Sequence, residues 1–148
     1  MHVPLYQRVA LALLRVVAAF VIMQHGAQKL FGAFGGMGPD GGTVQLMSLM
    51  GVAGVLEFFV GLLVLVGLFT RPAAFLLAGE MATAYFMAHF PRDFWTVKNS
   101  GEPAVLLCFI FLFLAAYGAG QFSLDALLRR RSGSASTEDA LTAAGAAE

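Results

Sequence analysis

Four long apolar runs divide the chain, and residues that favour turns or loops separate each run from the next. The runs cover residues 5–31, 46–69, 72–90 and 102–120. Each is about 19 residues or longer, which is enough for one helical crossing of a hydrocarbon layer about 30 Å thick. Because such length and apolarity are typical of membrane-spanning helices, the pattern predicts an all-α, integral membrane four-helix bundle.

The segments between the runs have the composition of loops and turns. Residues 33–45 contain five Gly and one Pro, which predicts a loop. Thr70, Arg71 and Pro72 predict a tight turn between the second and third helices, and residues 91–101 predict a polar loop. Pro103 fits the first turn of the last helix, where its missing N–H group has no cost.

Positively charged residues near the ends of the spans predict the orientation of the chain, because cytoplasmic loops of membrane proteins carry an excess of Lys and Arg. More of these residues lie on the side of the two termini (Arg8, Arg71, Arg129, Arg130, Arg131) than on the other side (Lys29, Arg92, Lys98). We therefore expect both termini to be cytoplasmic. Residues 129–148 lack a large apolar run, so we expect a disordered cytoplasmic tail behind a four-span domain of residues 1–128.

The overall composition agrees with a membrane protein. Of 148 residues, 59% are hydrophobic and only 12% are charged, about half the charged share of an ordinary soluble domain. Nine acidic and nine basic residues cancel, so no overall charge indicates a nucleic-acid partner. The single cysteine, Cys108, excludes an internal disulfide and a Cys-x-x-Cys site. The charged residues within the spans thus become the candidates for function.

Three charged residues lie well inside the predicted spans, on three different helices: Arg15, Glu57 and Glu80. At 1.5 Å per residue each is about 12 to 16 Å from the start of its helix, near the middle of the membrane. A charge at that depth costs at least about 2.5 kcal/mol, so it needs a partner or a role. Since one guanidinium can serve two carboxylates, we expect Arg15 between Glu57 and Glu80. Two interpretations stay open: an ion cluster that determines helix pairing, or a site that handles protons or substrate.

A second polar group is expected toward the outer end of the bundle, where it would form a candidate pocket. Its members are His25, Gln28, Lys29, His89, Asn99 and Glu102. The alternative is that these side chains anchor at the membrane interface and cap helices. A haem or metal site built from His25 and His89 is disfavoured because histidine is common at membrane interfaces. We expect no metal and no covalently bound cofactor.

Four motifs resemble, in order, those of the DoxX family of small four-helix inner-membrane proteins. The first is an Arg in the first helix followed by Gly-x-x-Lys-Leu-x-Gly, here Arg15, Gly26, Lys29, Leu30 and Gly32. The second is Glu-x-x-x-Gly, here Glu57 and Gly61. The third is Asn-x-Gly-Glu at residues 99–102, and the closing motif contains Gly118, Gly120, Ser123 and Asp125. Gln121 stands where members often have Arg.

The resemblance implies a role in membrane redox chemistry. Some DoxX proteins are described as membrane subunits of quinone-linked oxidation of sulfur compounds, and others are linked to thiol and oxidative-stress protection through partner enzymes. Because no ligands for an iron–sulfur cluster, flavin or copper are evident, we expect a quinone-interacting or partner-docking subunit of an oxidoreductase system in a bacterial inner membrane. Its expected partners are the lipid bilayer, a redox enzyme and further copies of itself, without nucleic acid. A catalytically silent scaffold and a small proton-coupled transporter remain alternatives.

Overall fold

The computed structural model of the protein describes residues 3–38 and 40–130. In this part of the chain four main helices follow one another: α1 (Leu5–Phe31), α2 (Leu49–Val66), α3 (Thr70–Ala84) and α5 (Glu102–Tyr117). The short α4 (Thr96–Asn99) lies between α3 and α5, and residues 124–130 form α6. The helices begin and end within a few residues of the apolar runs, so the expectation of an all-α membrane protein is confirmed.

The hydrophobic character of the helices agrees with a bilayer environment. α1 and α2 are long and apolar enough to cross a membrane, and α5 is a shorter apolar helix of 16 residues. Large apolar side chains on all four main helices point outward, among them Val17, Phe59, Phe75 and Phe109. In lipid, every backbone polar group needs an internal partner, and a helix provides this within one segment.

Two turns of the bundle are wider than an α-helix. One lies within α2 at Leu56–Val60, and the other extends α3 through Tyr85–His89. A π-helical turn adds a residue to the turn and thereby changes the direction of the side chains around it. These turns hold Glu57 and His89, two of the residues that the sequence singled out.

The helices pack mainly against their neighbours in the chain: α1 on α2, α2 on α3, and α3 on α5, with the first and the last of these contacts the most extensive. The core contains the fully buried Ile22, Leu77, Phe111 and Leu114. α1 and α2 approach closely at Gly26, where a Cβ atom would lie only 2.6 Å from the backbone nitrogen of Phe58. Small residues permit such approach in lipid, where packing replaces the hydrophobic effect between helices.

The predicted turn at Thr70 to Pro72 is wrong in position. The chain reverses at residues 67–69, where Gly67 and Phe69 have positive φ values of 73° and 48°. Thr70 begins α3, and Pro72 lies in its first turn. The carboxylate of Asp125 accepts hydrogen bonds from the backbone N–H groups of Phe69 and Thr70 at 3.0 and 3.2 Å, and so caps this helix.

The expected tail of residues 129–148 is described only at its first two residues. Arg129 and Arg130 belong to α6, and the rest of the expected tail, residues 131–148, lies outside the described residues. Pro103 occupies the first turn of α5, as predicted. The two ends of the bundle differ in the elements that form them. The N-terminal end contains the start of α1, the end of α5 and α6, whereas the far end contains Phe31 and the start of α5.

Candidate functional site

An ion pair between Lys29 of α1 and Glu57 of α2 lies inside the bundle. The Lys29 ammonium is 2.6 Å from Oε1 and 2.5 Å from Oε2 of the Glu57 carboxylate. The two side chains are only 11% and 5% exposed. The ammonium group thus contacts both oxygens of one carboxylate in a place largely closed to solvent, where such contacts are stronger than at a surface.

Close helix packing brings these two groups together. A Cβ atom at Gly54 would lie 3.0 Å from Cβ of Lys29, so α1 and α2 are nearly in contact at this level. Lys29 lies in the last turn of α1, and its four-carbon side chain extends from the level of Gly54 to Glu57 on α2. The wide turn at Leu56–Val60 carries Glu57 on the buried face of α2.

Glu80 on α3 adds a second carboxyl group to this pair. Its carboxyl lies close enough to Glu57 and to Lys29 to interact electrostatically with both. Its Oε2 atom is buried and has no hydrogen-bond partner among the described residues. The ammonium group of Lys29 contacts only Glu57 among the described residues, and one oxygen of Glu80 has unused hydrogen-bonding capacity.

These residues form part of the wall of a cavity of about 740 Å³ between α1, α2, α3 and the start of α5. Its polar lining includes His25, Lys29, Glu57, Glu80 and His89. Most other lining residues are apolar, and they include the methionines Met50, Met81 and Met87. Methionine is a flexible residue that adapts to ligands of irregular shape.

The cavity opens sideways, toward the apolar surface of the bundle. Val52 on α2 and Leu76 and Met87 on α3 line the cavity and are also 51%, 54% and 60% exposed. A molecule that enters between these helices therefore passes from the lipid-facing surface directly to the carboxyl groups.

The expected outer pocket is found only in part. His25 and His89 line the cavity together with Lys29, and the ring of His89 stacks on Tyr85 with centroids 6.4 Å apart. His89 Nδ1 also lies 3.0 Å from the backbone carbonyl oxygen of Asn99. His25, Lys29 and His89 join the two clusters that the sequence treated as separate.

The other three members of that pocket have different positions. The buried Asn99 donates to the Asp93 carbonyl at 2.8 Å, and its Oδ1 accepts from the Gly101 N–H at 2.7 Å, so it holds the loop before α5. Gln28 donates to the carbonyl of Gly36 at 2.9 Å and holds the glycine-rich loop. Glu102 is exposed in the first turn of α5 and does not line the cavity. The placement of these side chains in one pocket with His25 is therefore corrected.

Arg15 does not lie between Glu57 and Glu80, and that part of the prediction is wrong. Its Nη1 and Nη2 donate at 2.5 and 2.7 Å to the carbonyl oxygens of Ala119 and Phe122, at the N-terminal end of the bundle. The estimate of its depth from the number of residues was wrong because α1 has 27 residues, and its first turns extend past the ends of the neighbouring helices. Lys29, which the sequence assigned to the interface, takes the expected place of Arg15.

The sequence did not identify the apolar residues that line the cavity. Residues such as Met50, Ala84 and Ala88 carry no polar group that distinguishes them from ordinary packing residues. Their only signal was position, since they share the faces of α2 and α3 that carry Glu57 and Glu80. Asp125 gave a signal through its motif, but its partners on α3 are far away in the chain.

The fold and the site define a helical membrane protein with an ion pair and a cavity open toward lipid. The DoxX family model matches residues 10–90. An uncharacterised protein of Haemophilus influenzae (strain Rd) is 39% identical over 127 residues, covering 81% of this chain and 91% of that protein. The inner membrane protein YqjF of Escherichia coli K12 is 34% identical over 105 residues, covering 61% of this chain and 75% of that protein.

No solved structure matches the chain. The family match covers more than half of the sequence, and the Haemophilus relative is covered almost completely. The chain therefore belongs to the DoxX family, and the resemblance noted from its motifs is confirmed.

Proposed function

We propose that this DoxX protein binds a quinone-like lipophilic molecule in its cavity and acts as a membrane subunit of an oxidoreductase system. The observation that carries the proposal is the unpartnered Oε2 of Glu80, which is buried at a mainly apolar cavity. A buried polar atom without a partner is costly, and a ligand that bonds to it removes that cost.

The cavity has the size and the walls that such a ligand requires. Its volume of about 740 Å³ falls within the range of about 300 to 1,000 Å³ that is usual for small-molecule sites. The apolar walls suit a ring and the start of an isoprenoid tail. The sideways opening between α2 and α3 would let the rest of the tail stay in the bilayer.

The polar groups of the wall suit the oxygens of a quinone or quinol. A carboxyl group accepts a hydrogen bond from a hydroxyl when ionised and donates one to a carbonyl when protonated, so Glu80 can serve both forms. Lys29 has three N–H donors and uses two of them on Glu57. Conversion of a quinone to a quinol takes up two electrons and two protons. In this proposal Glu80 exchanges one proton at its Oε2, His25 or His89 in the same wall exchanges the other, and a partner enzyme supplies or removes the electron pair.

The proposed setting is a bacterial inner membrane. The relative named inner membrane protein YqjF supports this location. We propose four crossings, by α1, α2, α3 with its extension, and α5, with both termini in the cytoplasm. In that orientation the ion pair and the cavity belong to the half of the bundle that is away from the cytoplasm.

A quinone-binding measurement on the purified full-length protein tests the proposal. The protein in mild detergent is incubated with decylubiquinone, and bound quinone is measured by equilibrium dialysis and by the absorption spectrum of the extract. Ala88→Phe fills the cavity from an exposed wall position, and Glu80→Leu removes the unpartnered oxygen. We expect each to weaken binding by about tenfold or more, since one lost hydrogen bond or contact set is worth about 1.4 kcal/mol.

The matched control is Ala116→Phe, at an exposed alanine of α5 that does not line the cavity. It should bind as the unchanged protein does. Equal binding by Ala88→Phe, Glu80→Leu and the unchanged protein would contradict the proposal and favour a scaffold without a quinone site.

A further inference from the structure

A second cavity, of about 340 Å³, lies at the N-terminal end of the bundle and shares no lining residue with the first. It is formed where α3 begins, α5 ends and α6 passes. The residues that give it its chemistry are Arg71, Gly118, Gly120, Gln121, Asp125 and Arg129. None of them lines the cavity that holds Glu57 and Glu80.

The charge of this cavity is positive. Arg71 of α3 and Arg129 of α6 both line it. Arg8 of α1 donates to Oε1 of Gln121 at 2.8 Å, which places a third guanidinium at its edge. An arrangement of guanidinium groups from three separate helices is typical of a site for phosphate oxygens.

Asp125 is the one acidic group among the described lining residues, and it is already engaged. The two oxygens of Asp125 accept the N–H groups of Phe69 and Thr70, and the Arg15 guanidinium lies within electrostatic range. The carboxylate of Asp125 keeps its charge, but two guanidinium groups against one carboxylate leave the described lining net positive. Arg71 donates to the carbonyl oxygen of Tyr117 at 3.4 Å, which is a neutral acceptor, so neither Arg71 nor Arg129 forms an ion pair among the described residues.

The backbone makes room beside these arginines. Gly118 and Gly120 have φ values of 93° and 76°, which favour glycine. A Cβ atom at Gly118 would lie 3.3 Å from Nε of Arg71 and would crowd its guanidinium. Glycine at this position thus lets the Arg71 guanidinium lie directly against the backbone at the end of α5, which fixes it at the wall of the cavity.

The cavity adjoins an apolar surface. Tyr117 lines it, and its ring stacks on Phe113 with centroids 5.5 Å apart. Both rings are about half exposed. A ligand with a phosphate in the cavity could therefore lay an acyl chain along α5. This continuity favours a lipid over a free phosphate ion.

We propose that this cavity binds the phosphate headgroup of an anionic phospholipid, with Arg71 and Arg129 contacting the phosphate and Phe113 and Tyr117 contacting the acyl chains. Basic pockets between membrane helices are suited to anionic headgroups on the cytoplasmic side, where such lipids and the excess of positive residues occur together.

Native mass spectrometry of the full-length protein tests the proposal. The delipidated protein is titrated with phosphatidylglycerol and, in parallel, with phosphatidylcholine. We expect retention of phosphatidylglycerol over phosphatidylcholine. We also expect about tenfold or greater loss of phosphatidylglycerol affinity in the double variant Arg71→Gln, Arg129→Gln. Arg92→Gln, an exposed arginine at the far end, is the matched control and should bind as before.

Two further arms separate the sources of the phosphate and the effect of folding. Competition with soluble glycerol phosphate should leave the lipid bound, and displacement at equal concentration would overturn the lipid assignment in favour of a free phosphate. The charge-preserving variant Arg71→Lys, Arg129→Lys should keep most of the preference. Equal retention of both lipids, or an unchanged affinity in the double Gln variant with a normal unfolding temperature, would overturn the proposal.

Discussion

The ammonium group of Lys29 contacts both carboxylate oxygens of Glu57, at 2.5 and 2.6 Å, and this ion pair joins α1 to α2 in the interior of the bundle. At the N-terminal end, Arg15 joins α1 to the segment after α5 through the carbonyls of Ala119 and Phe122. α1 is thus held at two levels by two different cations. The first of these contacts lies at the cavity, and the second lies away from it.

Loss of Lys29 should destabilise the protein strongly. Lys29→Met leaves the buried Glu57 without its counter-charge, and we expect a loss of about 3 kcal/mol in the free energy of unfolding. Denaturation of the purified protein by sodium dodecyl sulfate in mixed micelles measures this change. The double variant Lys29→Met, Glu57→Leu removes both charges and should recover most of the loss.

A surface ion pair offers the control for this experiment. Lys98 and Asp93 are 3.9 Å apart, and their side chains are 66% and 34% exposed. Lys98→Met should change the free energy of unfolding by about 0.5 kcal/mol or less, because solvent screens such pairs. A similar small effect for Lys29→Met would mean that the Lys29–Glu57 contact does not stabilise the fold.

The close approach of α1 and α2 at Gly26 should tolerate no side chain. In Gly26→Ala the new Cβ would lie 2.6 Å from the Phe58 nitrogen and 2.9 Å from the Gly54 carbonyl oxygen, both of which are backbone atoms. We expect a loss of about 1 to 3 kcal/mol as the helices move apart. Gly79→Ala on α3 is the matched control, since its Cβ would meet nothing within 4 Å.

The Gly79→Ala variant should even be stabilised, by about 0.5 to 1 kcal/mol, because alanine is the better helix former. Thermal unfolding followed by circular dichroism compares the two variants. Equal unfolding temperatures for Gly26→Ala and Gly79→Ala would contradict the contact between α1 and α2.

The cap that Asp125 provides for α3 should be measurable. Asp125→Ala removes the acceptor of the Phe69 and Thr70 N–H groups and should cost about 1 kcal/mol. Asp125→Asn keeps one acceptor oxygen and should cost less. Hydrogen exchange of residues 69–73 reports the loss directly, and unchanged protection in Asp125→Ala would show that the start of α3 does not depend on this carboxylate.

Arg15 should not be replaceable by lysine. Its Nη1 and Nη2 atoms donate to two different carbonyl oxygens. A single ammonium group on a differently shaped side chain cannot reproduce this pair of hydrogen bonds. Arg15→Lys should increase the hydrogen exchange of residues 118–123 and lower the free energy of unfolding by about 1 to 3 kcal/mol. Arg92→Lys, at an exposed position, is the control and should leave both measurements unchanged. Identical exchange in Arg15→Lys would mean that the contact with Ala119 and Phe122 is unimportant.

The helices were predictable from the sequence because their cause is local. Hydrocarbon offers no hydrogen bonds, so an apolar run of sufficient length has to satisfy its backbone within itself and becomes a helix. The loop at 33–45 and Pro103 at the start of α5 follow equally from local backbone preferences. The sequence pattern misplaced the turn before α3 because Phe69 adopts a positive φ, which is uncommon for phenylalanine and is not predictable from its residue type.

The partners of the charged residues were decided by the tertiary structure alone. Arg15, Glu57 and Glu80 were recognisable as residues that need a partner, since burying a charge is costly for any helix. Which groups meet depends on the register of α1 against its neighbours and on the reach of each side chain. α1 is longer than the other helices, so Arg15 lies at the bundle end and Lys29 reaches Glu57. Local sequence preferences carry no information about such offsets between helices, and only the packed bundle determines them.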